Sequence, residues 1–219
     1  MEYVHVTDTK PVTKYLAETI SSHLADGEKV LWILSGGSGG KVCAEVSKRL
    51  TGDLSGLITT LSDERYVPLG DPDENWQQLI DYGFSVPGAT TYRPIQGKDR
   101  ASTAADLGQW LKTQYGQTDY KIGLFGMGTD GHTAGLKPGT TAVTATGWAT
   151  DFSGDDFERI TMTFDAIKQL DEVVIQAMGA DKTEILDTFI HQGLPPEAQP
   201  AQVLKLVAKS TLFTDYKES

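Results

Sequence analysis

His132 lies in the run Gly126-Met127-Gly128-Thr129-Asp130-Gly131-His132-Thr133-Ala134-Gly135-Leu136-Lys137-Pro138. An imidazole titrates near neutrality and can draw a proton from water. Asp130, two residues earlier, is placed to orient it or support it electrostatically. His5, His23 and His191 have no such loop around them and read as structural. The run also contains Gly126-x-Gly128-x-x-Gly131, the spacing of a dinucleotide-binding turn. That motif needs a long helix at once. Gly135 and Pro138 interrupt such a helix, so nicotinamide binding is not expected.

Three further stretches are suited to an anion. Ser35-Gly36-Gly37-Ser38-Gly39-Gly40 follows an apolar segment, and its glycines let backbone N–H groups approach a phosphate closely. It is not a Walker loop: Ser35 stands where the first glycine belongs, and Val42 follows Lys41. Ser62-Asp63-Glu64-Arg65 offers a guanidinium fork for phosphate or carboxylate. Asp63 or Glu64 could fix that fork or contact sugar hydroxyls. Lys182, in Gly179-Ala180-Asp181-Lys182, opens a helix, where a cation opposes the dipole unless an anion sits between them. Asp181 reads as the cap of that helix. No His/Cys spacing suits zinc and no Gly-x-Ser-x-Gly elbow occurs, so neither a metal nor a serine nucleophile is expected. Cys43, beside Val42 and Val46, reads as core.

These four stretches each follow a strand-like segment. Strands are expected at Glu2–Thr7, Lys29–Leu34, Leu57–Leu61, Tyr120–Phe125, Arg159–Phe164, Glu172–Met178 and, briefly, Leu212–Asp215. Helices are expected at Val12–Leu24, in the Val42, Val46, Leu50 stripe, near Trp76–Ile80, and at Ala101–Tyr115 and Lys182–Ile190. The alternation predicts an α/β fold with a mostly parallel sheet flanked by helices. In such a sheet the polar strand ends collect on one edge, where ligands bind. Without a long linker, residues 1–219 read as a single domain.

Composition narrows the partners. The chain has 219 residues, 39% hydrophobic, with 19 Lys plus Arg against 30 Asp plus Glu and a formal charge of −11. Its field repels polyanions, so neither nucleic acid nor an anionic membrane is an expected partner. A small anionic substrate would need a locally basic pocket. The lone cysteine suits a reducing cytoplasm. MEYVHVTDTK has no secretory pattern, and no apolar run approaches the ~20 residues of a membrane span.

The four stretches together resemble the 6-phosphogluconolactonase family, related to glucosamine-6-phosphate isomerases. The matching pieces are Leu34-Ser35-Gly36-Gly37-Ser38, Asp63-Glu64-Arg65-Tyr66-Val67-Pro68 with Asn75, Gly126 to Ala134 with Pro138, and Gly179-Ala180-Asp181-Lys182. The resemblance implies a Rossmann-like sheet without a dinucleotide. It also implies hydrolysis of 6-phosphoglucono-δ-lactone in the oxidative pentose phosphate pathway, with no cofactor. With the residue chemistry, it assigns catalysis to His132 and Asp130. It assigns substrate and phosphate contact to Ser35, Gly36, Gly37, Ser38, Asp63, Arg65, Gly128 and Lys182. The expected protein is a cytoplasmic monomer or small homo-oligomer. Three positions depart from the family pattern: Gly39-Gly40 replaces Thr-Pro, Glu74 replaces Ser, and Lys137 replaces Phe. Isomerase relatives carry at the last position a Glu that orients the histidine, which a protonated lysine cannot imitate. An amino-sugar-phosphate isomerase/deaminase and a non-catalytic sugar-phosphate-binding regulator are the alternative expectations.

Overall fold

The computed structural model describes residues 1–217; residue 219, the expected end of the domain, lies outside the described residues. In chain order the elements are β1 (Glu2–His5), α1 (Lys10–Ala25), β2 (Val30–Leu34), α2 (Gly37–Ser47), β3 (Leu57–Leu61) and β4 (Asp63–Arg65). They continue with α3 (Asn75–Asp81), β5 (Thr90–Thr91), α4 (Arg100–Tyr115), β6 (Tyr120–Gly126), β7 (Ala149–Ser153) and β8 (Glu158–Met162). The chain ends with α5 (Phe164–Ile167), β9 (Glu172–Ala177), α6 (Thr183–His191) and β10 (Lys209–Thr214).

Seven strands form a wholly parallel sheet in the order β1-β10-β9-β6-β2-β3-β5. Its centre is apolar on both faces, as a parallel sheet covered twice requires. Every residue of β2 is buried. Because side chains alternate across a strand, Leu31 and Ile33 enter one core while Val30, Trp32 and Leu34 enter the other. Val12, Leu16 and Ile20 of α1 and Val42 and Val46 of α2 fill the second core. Leu107 and Leu111 of α4 and Phe189 of α6 fill the first. The fold is α/β, as the alternation implied, and Rossmann-like, as the resemblance implied. Among the described residues no helix is long and apolar enough to cross a membrane.

Beside it lies a three-stranded antiparallel sheet, β4-β8-β7. The Ser62–Arg65 stretch, expected as a loop, is largely strand. The chain leaves β3 at Leu61, Ser62 N–H bonds Leu34 O at 2.8 Å, and Met162 N–H bonds Ser62 O at 2.9 Å. Ser62 thus joins the two sheets. β7 (Ala-Thr-Asp-Phe-Ser) has too little apolar alternation to be seen in sequence and depends on its pairing with β8. β10 is longer than expected and is inserted between β1 and β9, an arrangement no local pattern encodes. Phe164, expected in a strand, starts α5, capped by the Thr163 hydroxyl. α2 begins at Gly37, inside the glycine-rich turn.

Candidate active site

The chain order reverses between β2 and β6, which are neighbours in the sheet. In open α/β sheets a ligand binds beyond the carboxyl ends of such strands. A cavity of about 310 Å³ opens there. Its floor is the start of α2, where Gly36 is the N-cap and no side chain among the described residues caps the helix. The N–H of Gly40 is the first of the turn to reach a carbonyl, Gly36 O at 3.2 Å. The N–H groups ahead of it are those a helix start offers an anion. Ser35, Gly36, Gly37, Ser38 and Gly39 all line the cavity. A Cβ on Gly39 would fall 2.5 Å from Ser35 Oγ. The departure from the family's threonine here is therefore matched to the serine's placement.

The loop that follows β6 supplies the histidine. Nδ1 of His132 lies 2.6 Å from Asp130 Oδ1, and the backbone N–H of His132 donates to the same oxygen at 3.0 Å. Hydrogen bonding to His132 lowers the Asp130 carboxyl to about 2. An ionised carboxylate at Nδ1 selects the tautomer protonated there, which leaves the lone pair on Nε2. Gly128 makes the arrangement possible: a Cβ on it would sit 2.1 Å from Nδ1 and 2.7 Å from Asp130 Oδ1. Gly128 N–H and O both bond within the loop, to His132 O at 2.9 Å and from Gly131 N–H at 3.0 Å. Thr133 Oγ1 ties the loop to Gly126 O at 2.8 Å.

Cations crowd the cavity as well. Arg65, Lys137, Arg159 and Lys182 all line the cavity, within a chain of net charge −11. Arg65 lies over the Phe157 ring at 4.5 Å, Arg159 over the same ring at 5.7 Å. Arg65 donates to Asp73 Oδ1 at 3.2 Å. Arg159 grips Asp156 with two bonds of 2.5 and 2.8 Å, and Lys137 Nζ lies 3.4 Å from Asp156 Oδ1. Arg159 holds the Asp156 carboxyl well below the usual carboxylate range. Half-buried Asp63 also faces the cavity; burial raises its carboxyl, against the pull of Ser62, Arg159, His132 and Arg65.

Behind the wall the supports are structural. Glu64 is fully buried and accepts the N–H groups of Arg65, Asn75 and Trp76 at 2.7, 2.6 and 3.0 Å, which fastens β4 to the start of α3. Burial pushes its carboxyl up to about 8. Glu64 is therefore not the sugar contact the sequence allowed. Glu74, the second departure, is buried away from the cavity and forks onto Arg93 at 2.6 and 2.5 Å. Asp181 caps no helix; the N–H of Gly179 is taken instead by Asp215 at 3.1 Å.

Of the ten site residues expected from sequence, nine line this one cavity, and Asp130 touches it through His132. Asn75, Lys137, Asp156 and Arg159 line it as well. Arg159 was read only as the start of a strand. The signal was there in an arginine at a strand end, but its partner wall, the second sheet, was not.

The profile of the glucosamine-6-phosphate isomerases/6-phosphogluconolactonase family matches residues 9–213. A 6-phosphogluconolactonase of Mycobacterium leprae is 30% identical over 208 residues, which cover 86% of this chain and 83% of that protein. One from Synechocystis is 27% identical over 219 residues, covering 94% and 86%. Among solved structures, a 6-phosphogluconolactonase from Shewanella baltica superposes with a TM-score of 0.81 at 20% identity, covering 98% of this chain and 97% of that one. A monomeric glucosamine-6-phosphate deaminase superposes with a TM-score of 0.78 at 18% identity, covering 98% and 97%. At such identities both share the fold, and the fold is common to both activities. By its profile and its relatives, the chain belongs to the family of glucosamine-6-phosphate isomerases and 6-phosphogluconolactonases.

Proposed function

We propose that this protein hydrolyses 6-phospho-D-glucono-1,5-lactone to 6-phosphogluconate, in the cytoplasmic oxidative pentose phosphate pathway. One observation carries the reading. A histidine with Nδ1 bound to a carboxylate shares a cavity of about 310 Å³ with an uncapped helix start and four cations. The curated relatives named above support lactone over amino sugar as the substrate. The side chain at 137 supports it too: Lys137 pairs with Asp156, and it is Asp130 that is hydrogen-bonded to His132 Nδ1.

The phosphoryl group lies on the first turn of α2, with Arg65, Arg159 and Lys182 about it. His132 Nε2 takes a proton from water as the water oxygen bonds to C1 of the lactone. Charge moves to the carbonyl oxygen, where N–H donors of the glycine-bearing loops receive it. The C1–ring oxygen bond then breaks, and imidazolium returns its proton to that oxygen. The products are a carboxylic acid, which ionises, and a free hydroxyl. Asp130 keeps the ring in the useful tautomer and stabilises the imidazolium. No metal is needed in this scheme. A positioned base supplies about 10²–10⁴-fold, and a δ-lactone is already an activated ester. Cys43 takes no part: it is buried, and burial pushes its thiol up to about 12.

The test is the disappearance of the phosphorylated lactone against its spontaneous hydrolysis. Acceleration by the purified protein is expected. No acceleration, with ammonia released from glucosamine 6-phosphate, would transfer the chain to the deaminase activity. Binding of 6-phosphogluconate without turnover of either would make it a regulator.

A further inference from the structure

The β7–β8 hairpin carries its turn, Gly154-Asp155-Asp156-Phe157, to the rim of the cavity. The root is fixed: Arg100 pairs with Asp151 and Glu158, each at 2.6 Å, and donates to Ser153 Oγ at 2.9 Å. The tip holds itself with one backbone bond, Gly154 N–H to Phe157 O at 2.9 Å. From it, Asp156 fills the guanidinium fork of Arg159 and reaches the ammonium of Lys137.

Exposure is unequal across this cluster. The Arg159 side chain is 12% exposed and that of Lys137 23%, whereas that of Asp156 is 47% exposed. The cations are built into the wall, and the carboxylate can turn into water. We propose that Asp156 is a specificity-determining residue: it occupies the anion site formed by Arg159 and Lys137 and yields it to a phosphoryl group but not to a neutral sugar. A phosphate dianion reproduces the two-bond fork with twice the charge, so the exchange leaves both cations compensated. A hydroxyl in its place would leave two cations in the wall unpaired. Lys137, the departure from the family pattern, then has a role: it adds charge to the site that Asp156 screens. The inference deepens the proposed function and rests on it for the identity of the anion.

The experiment compares the parent protein with Asp156→Asn, which keeps shape and removes charge. Titration calorimetry with inorganic phosphate should show tighter binding in the variant, by about five- to tenfold, since a like charge has left the anion site. The preference in kcat/KM for 6-phosphogluconolactone over unphosphorylated glucono-δ-lactone should rise by a similar factor, because only the phosphorylated substrate has to displace Asp156 in the parent. Lys137→Met should weaken phosphate binding more in the Asp156→Asn background than in the parent, because the lysine is unmasked there. Equal or weaker phosphate binding by Asp156→Asn overturns the proposal and leaves Asp156 a buttress for Arg159. An unchanged substrate preference also overturns it. Phosphate titration needs no turnover, so a protein without lactonase activity whose variant binds phosphate more tightly refutes the proposed function alone. A competent lactonase with unaltered phosphate binding refutes this inference alone.

Discussion

The two ends of the parallel sheet are built from the same side chains and do different things. At the amino ends of the strands, Glu172 opens β9 and is fully buried. Its carboxyl accepts from Tyr15 at 2.6 Å and from Tyr120, and Lys209 lies 3.0 Å away. His23 stacks on Tyr120 with ring centroids 3.6 Å apart and bonds to Glu28. At the carboxyl ends stand Asp130, His132, two arginines and two lysines around an open cavity. Both ends contain a histidine–carboxylate pair and a cation near an acid. At the first, each group has its partner inside the protein, and both phenols are raised further by burial and by Glu172. At the second, no side chain among the described residues caps the helix start, and the histidine faces the cavity. Residue type does not separate a structural network from a site; unmet bonding capacity facing a cavity does.

The contrast can be broken by substitution. His132→Ala should lower kcat for the lactone by about 10²–10⁴-fold while leaving the melting temperature near that of the parent. An unchanged kcat would remove His132 from the chemistry. Gly128→Ala should follow, because its methyl group needs the space of the imidazole and of Asp130. A fall in kcat of about 10²-fold is expected when a catalytic group is displaced by an ångström; steady-state kinetics showing full activity would refute the steric account. At the other end, Glu172→Ala should destabilise the fold by about 2–3 kcal/mol through loss of hydrogen bonds to an acidic group. Urea unfolding measures this, and kcat of the folded variant should not move. A lost kcat with unaltered stability would reverse the assignment of the two ends.

The smallest expected effect is in pH. The Asp130 carboxyl is lowered from 3.8 to about 2, so the folded state binds its proton less readily than the unfolded chain. Its contribution to stability is therefore complete above pH 3.8 and disappears as the pH falls through about 2. The melting-temperature difference between the parent and Asp130→Asn should be constant above that window and vanish below it. A difference that persists at the acid end would show that Asp130 acts by packing rather than by charge.

Much of this could be read in the chain. Full burial of β2 follows from Val-Leu-Trp-Ile-Leu, and a turn of six small residues before a helical stripe specifies an anion-accepting helix start. His132 was recognisable from the glycines about it, and Gly128 turns out to be spatially necessary to its ring. Other features had no local signature. Asp63 and Arg65 looked like a charged turn because three residues are too few to show alternation; pairing with β8 makes them a strand. Glu64 looked like a site acid because sequence cannot show that three backbone N–H groups surround it.

By itself, then, the sequence determined a mostly parallel sheet, six of its seven strands and the chemical kinds of its loops, since hydrophobic period and glycine content act within a few residues; β5, only two residues long, and the separate pairing of β8 were not legible. Only the tertiary structure decided that β10 enters between β1 and β9, that a second sheet brings Arg159 and Asp156 to the cavity, and that Glu172 is sealed while His132 is not. Those outcomes depend on pairings between segments far apart in the chain, which trade loop entropy against burial, and no local pattern contains that balance.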